Sequence, residues 1–356
     1  MSMINRLIDN SYWSGRTVLV TGHTGFKGSW LIMCLKQLGC RVIGLGLKPN
    51  TAPSLFEEAN IANFCDSHEI DIRDAKKVQV FLKEKNPEVI FHLAAQAIVY
   101  ESYKTPLETF ATNTMGTVNL LDGIRKTGLA TTIVVVTSDK VYAPILLGRP
   151  YEEEDPLGGH DPYSASKAAT EIVVACYQQA FFGEQEMALA TGRSGNVIGG
   201  GDWAPYRLIP DAIRAWSHNE EILIRHPSSV RPWQHVLEPI YGYILLAQRL
   251  GEKIIKGGAY NFGPKKEDAL TVEELIKLAQ THWPEANVAI EISDQRFHES
   301  NWLELNTEKS ITELGFKPKW DIREAVHYTM NWYRRYHARE EPIDLCFRDI
   351  QTYFDA

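Results

Sequence analysis

The chain has 356 residues, of which 44% are hydrophobic and 23% charged, and a formal net charge of −8. That is the composition of a soluble globular protein with a sizeable core and room for two lobes. It carries no basic footprint for nucleic acid, and no apolar run long enough to span a membrane.

From the N-terminus, MSMINRLIDNSYW shows no signal-peptide pattern. TVLVTG (Thr17–Gly22) predicts a short buried strand. KGSWLIMCLKQLG then places Leu31, Cys34, Leu35 and Leu38 at helical spacing, with Gly39 as the C-terminal stop. Between them the glycines fall as Gly22-x-x-Gly25-x-x-Gly28. In a strand–turn–helix context the first allows a tight turn and the second lets backbone approach a pyrophosphate. The third lets the helix pack on the strand, and the helix N-terminus offers free N–H groups to phosphates. RVIGLGL is the next strand; its end offers Lys48 where a dinucleotide fold usually has a ribose-binding acid. That predicts NAD held with modest affinity, or some tolerance of NADP.

AKKVQVFLKEKN reads as an amphipathic helix, and EVIFHLAA and TTIVVVTS as buried strands. PLETFATNTMGTVNLLDGIRKTG predicts a long helix with an awkward Gly116 inside it. DPYSASKAATEIVVACYQQAF predicts a second long helix, and MALATGRSGN another strand. Apolar strands alternating with helices imply an α/β fold of the Rossmann type, a doubly wound parallel sheet covered on both faces. After about Gly195 the rhythm breaks into loops and the short helices Leu208–Ser217, Val236–Arg249, Val272–Gln280 and Arg323–Arg335. The division expected is a nucleotide-binding domain over 1–192, with 236–262 returning to it. A smaller, discontinuous α+β lobe over 193–235 and 263–356 would bind substrate. The charged and aromatic last twenty residues predict no element. The cysteines Cys34, Cys40, Cys65, Cys176 and Cys346 are scattered and odd in number. They read as reduced thiols of a cytoplasmic protein, with no disulfide framework and no metal site.

The chemistry concentrates at the end of the TTIVVVTS strand and the start of the following long helix. Tyr163 and Lys167 are four apart and share a helix face. A charged lysine beside a phenol favours phenolate, which can act as general base on a hydroxyl being oxidised. The plain alternative is an exposed pair at ordinary helical spacing. VTSDKVYA sets Thr137, Ser138, Asp139 and Lys140 together at a strand end. A simple solvated Asp–Lys pair is the alternative there.

The glycine spacing, the strand ending in Thr-Ser and the Tyr-x-x-x-Lys helix together resemble the extended, sugar-nucleotide-modifying branch of the short-chain dehydrogenase/reductase superfamily. The resemblance implies NAD as cofactor, bound by Gly22, Thr24, Gly25, Phe26, Lys27 and Gly28. Asp71 and Ile72 would lie toward the adenine, and Leu93, Ala94, Ala95, Gln96 and Asn113 toward the nicotinamide, with Tyr163 and Lys167. It implies a catalytic triad of Ser138, Tyr163 and Lys167, Thr137 being the less favoured hydroxyl. Asp139-Lys140 resembles the CDP-glucose 4,6-dehydratase family, where dTDP-glucose dehydratases show Asp-Glu and GDP-mannose dehydratases a Glu. By that match Asp139 is the acid for the departing C6 hydroxyl. Lys140 is either a neutral base for the C5 proton or a charge that stabilises the enolate. GRSGNVIGGGDWAPYRLIPD, VRPWQHV and NFGPK match the same family, implying substrate contacts from Asn196, Arg207, Leu208, Arg231 and Asn261. The pattern implies a hydro-lyase acting on CDP-glucose in deoxysugar and O-antigen biosynthesis. It also implies a homodimer through the helices around Thr112–Thr127 and Asp161–Phe182. RFHESNWLELNTEKSITELGFKP aligns in outline, with no role for His298 or Glu299. DKVYAPILLGRP and the Tyr100-Glu101 pair depart from the family pattern. Other readings of the same residues are a dehydratase for dTDP-glucose or GDP-mannose, a nucleotide-sugar 4-epimerase, or a dinucleotide-binding redox sensor.

Overall fold

The structure, a computed structural model, describes residues 7–144, 148–183, 187–224, 226–290 and 303–356. His298 and Glu299 therefore lie outside the described residues. Seven parallel strands form the central sheet: β1 (Thr17–Thr21), β2 (Arg41–Gly46), β3 (Asp66–Glu69), β4 (Val89–His92), β5 (Thr132–Val136), β6 (Ala188–Ser194) and β7 (Gly258–Phe262). Their order is β7-β6-β5-β4-β1-β2-β3. The chain reverses its direction of sheet growth between β1 and β4, and a crevice opens there beyond the carboxyl ends of the strands.

Side chains alternate across this sheet, and both faces are dry. Val18, Val20, Val89, Phe91, Val134 and Val136 pack into one core with the Phe26–Gln37 and Leu237–Gly251 helices. Leu19, Ile43, Ile90, Ile133 and Val135 face the other, against the Ala75–Lys85, Gly116–Thr127 and Pro162–Tyr177 helices. This explains why the strands read as unbroken apolar runs. β3 carries the sequence DSHE and is mostly exposed at the sheet edge, so no apolar signal announces it.

The long helix after β4 is not uniform. Pro106–Phe110 and Gly116–Thr127 are α-helical, and Ala111–Met115 between them is a π-helical turn. Gly116 is required by proximity: a Cβ there would lie 2.7 Å from Ile72 Cγ2. The wide turn aims Asn113 inward, a common use of such turns.

The C-terminal residues form the Pro342–Asp355 helix. Its buried face includes Leu345, Cys346, Ile350 and Tyr353. Tyr353 OH donates to Glu238 Oε2 at 2.8 Å, and Lys319 Nζ donates to the Tyr353 carbonyl at 2.8 Å. Cys34, Cys40 and Cys346 are buried free thiols, whereas Cys65 is half-buried and Cys176 exposed. Three short ladders build the second lobe: Val197–Ile198 with Gln234–His235, Val230–Arg231 with Leu270–Thr271, and Glu221–Ile224 with Asn287–Ile290. Among the described residues no helix is long and apolar enough to cross a membrane.

Candidate active site

One cleft of about 1040 Å³ runs along the carboxyl edge of the sheet, lined by the sheet's loops and the second lobe. That is at the upper end of ligand-site sizes, roughly 300–1,000 Å³. The glycine loop forms its floor. Gly22 has φ +71°, and a Cβ there would sit 2.7 Å from the Ala94 backbone nitrogen, so the turn demands glycine. Gly25 begins the Phe26–Gln37 helix with no side-chain cap. The first-turn N–H groups are thus open to an anion, as a pyrophosphate requires.

Thr24, Phe26, Lys27, Asp71, Ile72, Leu93, Ala94 and Ala95 line this half of the cleft, with Lys48 at the end of β2. The Asp71 carboxylate accepts from Arg73 at 2.6 Å, which holds it below the usual carboxylate range. Gln96 and Asn113 act from behind the wall. The Gln96 N–H donates to Asn113 Oδ1 at 2.8 Å, and Asn113 Nδ2 donates to the Gln96 carbonyl at 3.0 Å and Ser166 Oγ at 2.9 Å. His92 braces the same corner. Its Nδ1 lies 2.7 Å from Thr21 Oγ1 and its Nε2 3.0 Å from Thr117 Oγ1. Thr117 donates to the Asn113 carbonyl, so it accepts from Nε2–H and Nδ1 accepts from Thr21. Burial brings this imidazole down to about 3, so it is neutral.

β5 delivers Val136 and Thr137 to the cleft, and a single turn, Asp139–Val141, follows. Ser138 caps that turn through the Lys140 N–H at 3.2 Å, and its hydroxyl donates to Asp139 Oδ1 at 2.9 Å. Asp139 is 2% exposed, and its Oδ2 is buried with no hydrogen-bond partner. Burial raises its carboxyl above the usual range, against the pull of Lys140, Ser138, Arg231 and Lys27. Lys140 is half-buried and lines the cleft.

Tyr163 and Lys167 enter from the first two turns of the Pro162–Tyr177 helix, which Asp161 caps through the Ser164 N–H at 2.9 Å. The Tyr163 phenol lies close enough to the Ser138 hydroxyl for Ser138 to favour its ionised form. The expected lowering of the phenol is not what this geometry gives. Burial raises it to about 12, with Ser138 and Arg207 pulling the other way. Lys167 is buried and comes down to about 8, with Glu171 opposing the fall, and its Nζ donates to the Val136 carbonyl at 3.1 Å. Both groups are desolvated, and desolvation disfavours the charged form of each.

The second lobe brings Asn196, Arg207, Leu208 and Arg231 to the same cleft. Arg207 Nη1 donates to Asp202 Oδ2 at 2.7 Å. Arg231 is 4% exposed, close enough to Asp139 to act on its charge. Asn261 lies behind the cleft. Its Nδ2 donates to the Tyr151 and Asn306 carbonyls at 3.1 and 3.0 Å, and its Oδ1 accepts from Tyr142 OH at 2.7 Å.

The sequence profile of the GDP-mannose 4,6 dehydratase family matches residues 19–329. The chain belongs to this family. Among its relatives, the CDP-glucose 4,6-dehydratase of Salmonella typhimurium is 42% identical over 98% of this chain and 99% of that one. The UDP-glucose 4-epimerase of Halalkalibacterium halodurans is 27% identical over 90% of this chain and 96% of that one. In fold, the UDP-glucose 4-epimerase of Thermus thermophilus, solved with NAD, superposes with a TM-score of 0.77 at 25% identity, covering 89% of this chain and 99% of that one. The fold is shared with the Stenotrophomonas maltophila UDP-glucose 4-epimerase at a TM-score of 0.79 and 23% identity, over 91% of this chain and all of that one.

Within this dehydratase-family cleft, Lys27 meets partners that were not predicted, Ser194 and Tyr243, and Glu171 was not predicted either. Lys27 turns away from the phosphate-binding backbone of its own loop. Its Nζ donates to Ser194 Oγ at 2.9 Å, and Ser194 Oγ shares a 2.7 Å hydrogen bond with Tyr243 OH. Burial, with Arg207 nearby, brings the Lys27 amine to about 7, while Asp139 favours its charged form. Ser194 ends β6 and Tyr243 sits on the Leu237–Gly251 helix, far apart in the chain, so spacing alone could not join them. Glu171 was the more accessible signal, since it continues the Tyr163–Lys167 face by one more turn.

Proposed function

We propose that the chain is a CDP-glucose 4,6-dehydratase, converting CDP-D-glucose to CDP-4-keto-6-deoxy-D-glucose. The observation that carries this reading is Asp139. It is a buried carboxyl that desolvation raises above the usual carboxylate range, favouring its proton-bearing form, on the residue next to the Ser138 hydroxyl. An epimerase or a redox sensor needs no such acid, whereas elimination of a C6 hydroxyl does. The high identity to a CDP-glucose 4,6-dehydratase along nearly the whole of both chains supports the substrate.

Tyr163, with Ser138 and Lys167, takes the C4 hydroxyl proton as the C4 hydrogen leaves as hydride. The C4 ketone acidifies C5–H, and Lys140 takes that proton. Asp139 gives its proton to the C6 hydroxyl, which departs as water. C5 regains a proton from Lys140 as C6 is reduced, and NAD, held along the glycine loop, would supply the hydride acceptor and donor that side chains lack. Gly22, the open first turn at Gly25 and the small Ala94–Ala95 wall suit it, and the NAD in the Thermus thermophilus relative supports the choice. Arg231 and Arg207, with Asn196 and Leu208, would hold the nucleotide diphosphate, a guanidinium matching phosphate oxygens in pairs. In this reading residues 1–192 and 236–262 serve the cofactor, 193–235 and 263–356 serve the sugar nucleotide, and the free thiols suit a cytoplasmic enzyme. Incubation with CDP-glucose and catalytic NAD is expected to yield the alkali-absorbing 4-keto product with no net NADH. Turnover of dTDP-glucose or GDP-mannose with none of CDP-glucose would reassign the substrate, and a 4-epimer product would reassign the reaction.

The working unit we propose is a homodimer. Met115, Ile172 and Phe181 are 52%, 60% and 41% exposed on the two helical segments expected to pair, and Leu107, 84% exposed, stands on the Pro106–Phe110 helix just before the first of them. Exposed apolar side chains clustered in this way favour a partner surface. Sedimentation is expected to show twice the 40.3 kDa chain mass, and Leu107→Glu with Ile172→Glu to shift it to the monomer. A wild-type monomer would remove the proposal.

A further inference from the structure

Behind the reacting residues lies a buried ion pair that the mechanism above does not use. Glu171 and Arg193 have side chains 4% exposed each, and Glu171 Oε2 accepts from Arg193 Nη2 at 2.8 Å. Glu171 stands one turn beyond Lys167 on the Tyr163 helix. Its Oε1 accepts from Thr137 Oγ1, and its Oε2 also accepts from Thr191 Oγ1 at 2.8 Å. Lys167 bonds the Val136 carbonyl, the residue before Thr137. The upstream flank of Ser138 is thus tied twice to the catalytic helix.

Arg193 holds the downstream flank. Its Nη1 donates to Tyr142 OH at 2.9 Å and to the Glu153 carbonyl at 2.9 Å, and its guanidinium lies 5.0 Å from the Tyr142 ring centre. Tyr142 OH donates to Asn261 Oδ1 at 2.7 Å, and the Asn261 backbone N–H donates to Glu153 Oε1 at 2.8 Å. Between the two ties lie only Ser138, Asp139, Lys140 and the buried Val141.

A buried ion pair adds little stability over apolar packing of the same volume, while breaking one partner is costly. What it fixes is geometry. We propose that Glu171 and Arg193 are positioning residues that clamp both flanks of the Ser138–Lys140 segment to the Tyr163–Lys167 helix, setting the oxidation and elimination groups in one register. This rests on the dehydratase reading for the roles of the clamped residues, but the clamp itself does not depend on the sugar nucleotide.

The test uses the full chain with NAD and two variants. Glu171→Gln keeps the shape and removes the charge; Tyr142→Phe keeps the ring and cuts only the downstream tie. In both, kcat on CDP-glucose is expected to fall by about 10²-fold, the cost of an ångström-scale misplacement, with KM within a factor of about two. In Glu171→Gln the pH at which the rising rate levels off is expected to move lower by about one unit, because Lys167 loses the carboxylate that favours its charged form. Tyr142→Phe is expected to leave NADH standing during turnover, oxidation outrunning elimination. Folded variants with wild-type kcat and pH profile, differing only in thermal midpoint, would reduce the pair to a structural one and overturn the proposal. Titration of the Lys167 side chain by NMR, without substrate, separates this from the substrate assignment. A shift in Glu171→Gln supports the upstream clamp even if CDP-glucose is not turned over. An unmoved Lys167 overturns it.

Discussion

Tyr163→Phe is expected to lower kcat by about 10³-fold, the middle of the range for loss of a general base, with KM little changed. The variant removes one oxygen and leaves the buried ring in place. Its proton acceptor is lost, and with it the oxygen that faces Ser138 at the end of β5. The wild-type pH profile carries two opposing demands. The phenol, raised to about 12 by burial, gains phenolate as pH rises, while Lys167 loses its charge as pH passes about 8. The rate should therefore climb through neutrality and level off above the lysine value, and the rising limb should vanish in the variant. Folding gives an independent check. A tyrosine whose folded value lies above its unfolded one is neutral in both states at pH 7, so its ionisation adds nothing to stability there and matters only as pH rises above 10. Thermal midpoints at pH 7 should thus be nearly equal, and single-turnover NADH formation should be the step that fails.

The positive φ at Gly22 and the dry alternating strands were legible because they are local consequences of residue type. The same holds for the Tyr163–Lys167 face, since four residues are one helical turn. The unbroken TTIVVV run could only be a strand buried on both sides, and it fixed where Ser138 and Asp139 would emerge. β3 escaped because its four residues are polar and it sits at an edge, where pairing is decided by the neighbour's register. The last helix escaped because its buried face is recognised only by its partners: Tyr353 finds Glu238 and Lys319, and Cys346 accepts from Trp332 Nε1.

The site divides along the same line. The residues that line the cleft from the glycine loop and from β5 were readable. Gln96, Asn113 and Asn261 share those motifs, yet their side chains brace the loops from behind, a distinction of direction that a motif does not record. The phenol was expected to fall and rises instead, because spacing supplies a nearby cation but not the depth of burial. Lys27 is the sharpest case. Its place in the loop suggested the cofactor, and only the meeting of β6 with the Leu237–Gly251 helix gives it Ser194 and Tyr243.

Asp139→Asn separates the two halves of the reaction. Asparagine keeps the size and can still accept from Ser138, so C4 oxidation by Tyr163 should survive. It has no acidic proton to give to a departing hydroxyl, so formation of the 6-deoxy product should fall by about 10³-fold. Mixing the variant with CDP-glucose is expected to build up NADH that decays only slowly, where the wild type shows almost none. Normal product formation would move the acid role to another group, and Lys27 would be the next to test. Stability should change in the opposite sense to activity. The Asp139 carboxyl is raised above 3.8 by burial, so the folded state holds its proton more tightly than the unfolded chain does. That preference stabilises the fold below 3.8 and is lost as pH rises toward the folded value, because the unfolded chain gives up the proton that the buried carboxyl, with its unpartnered Oδ2, keeps. Asparagine has no such proton to hold. The variant should therefore match or exceed the wild type in thermal midpoint at neutral pH, and lose that advantage in acid. A carboxyl that weakens the fold at the pH where the protein works is kept for its proton, and the paired loss of elimination and gain of stability would show it.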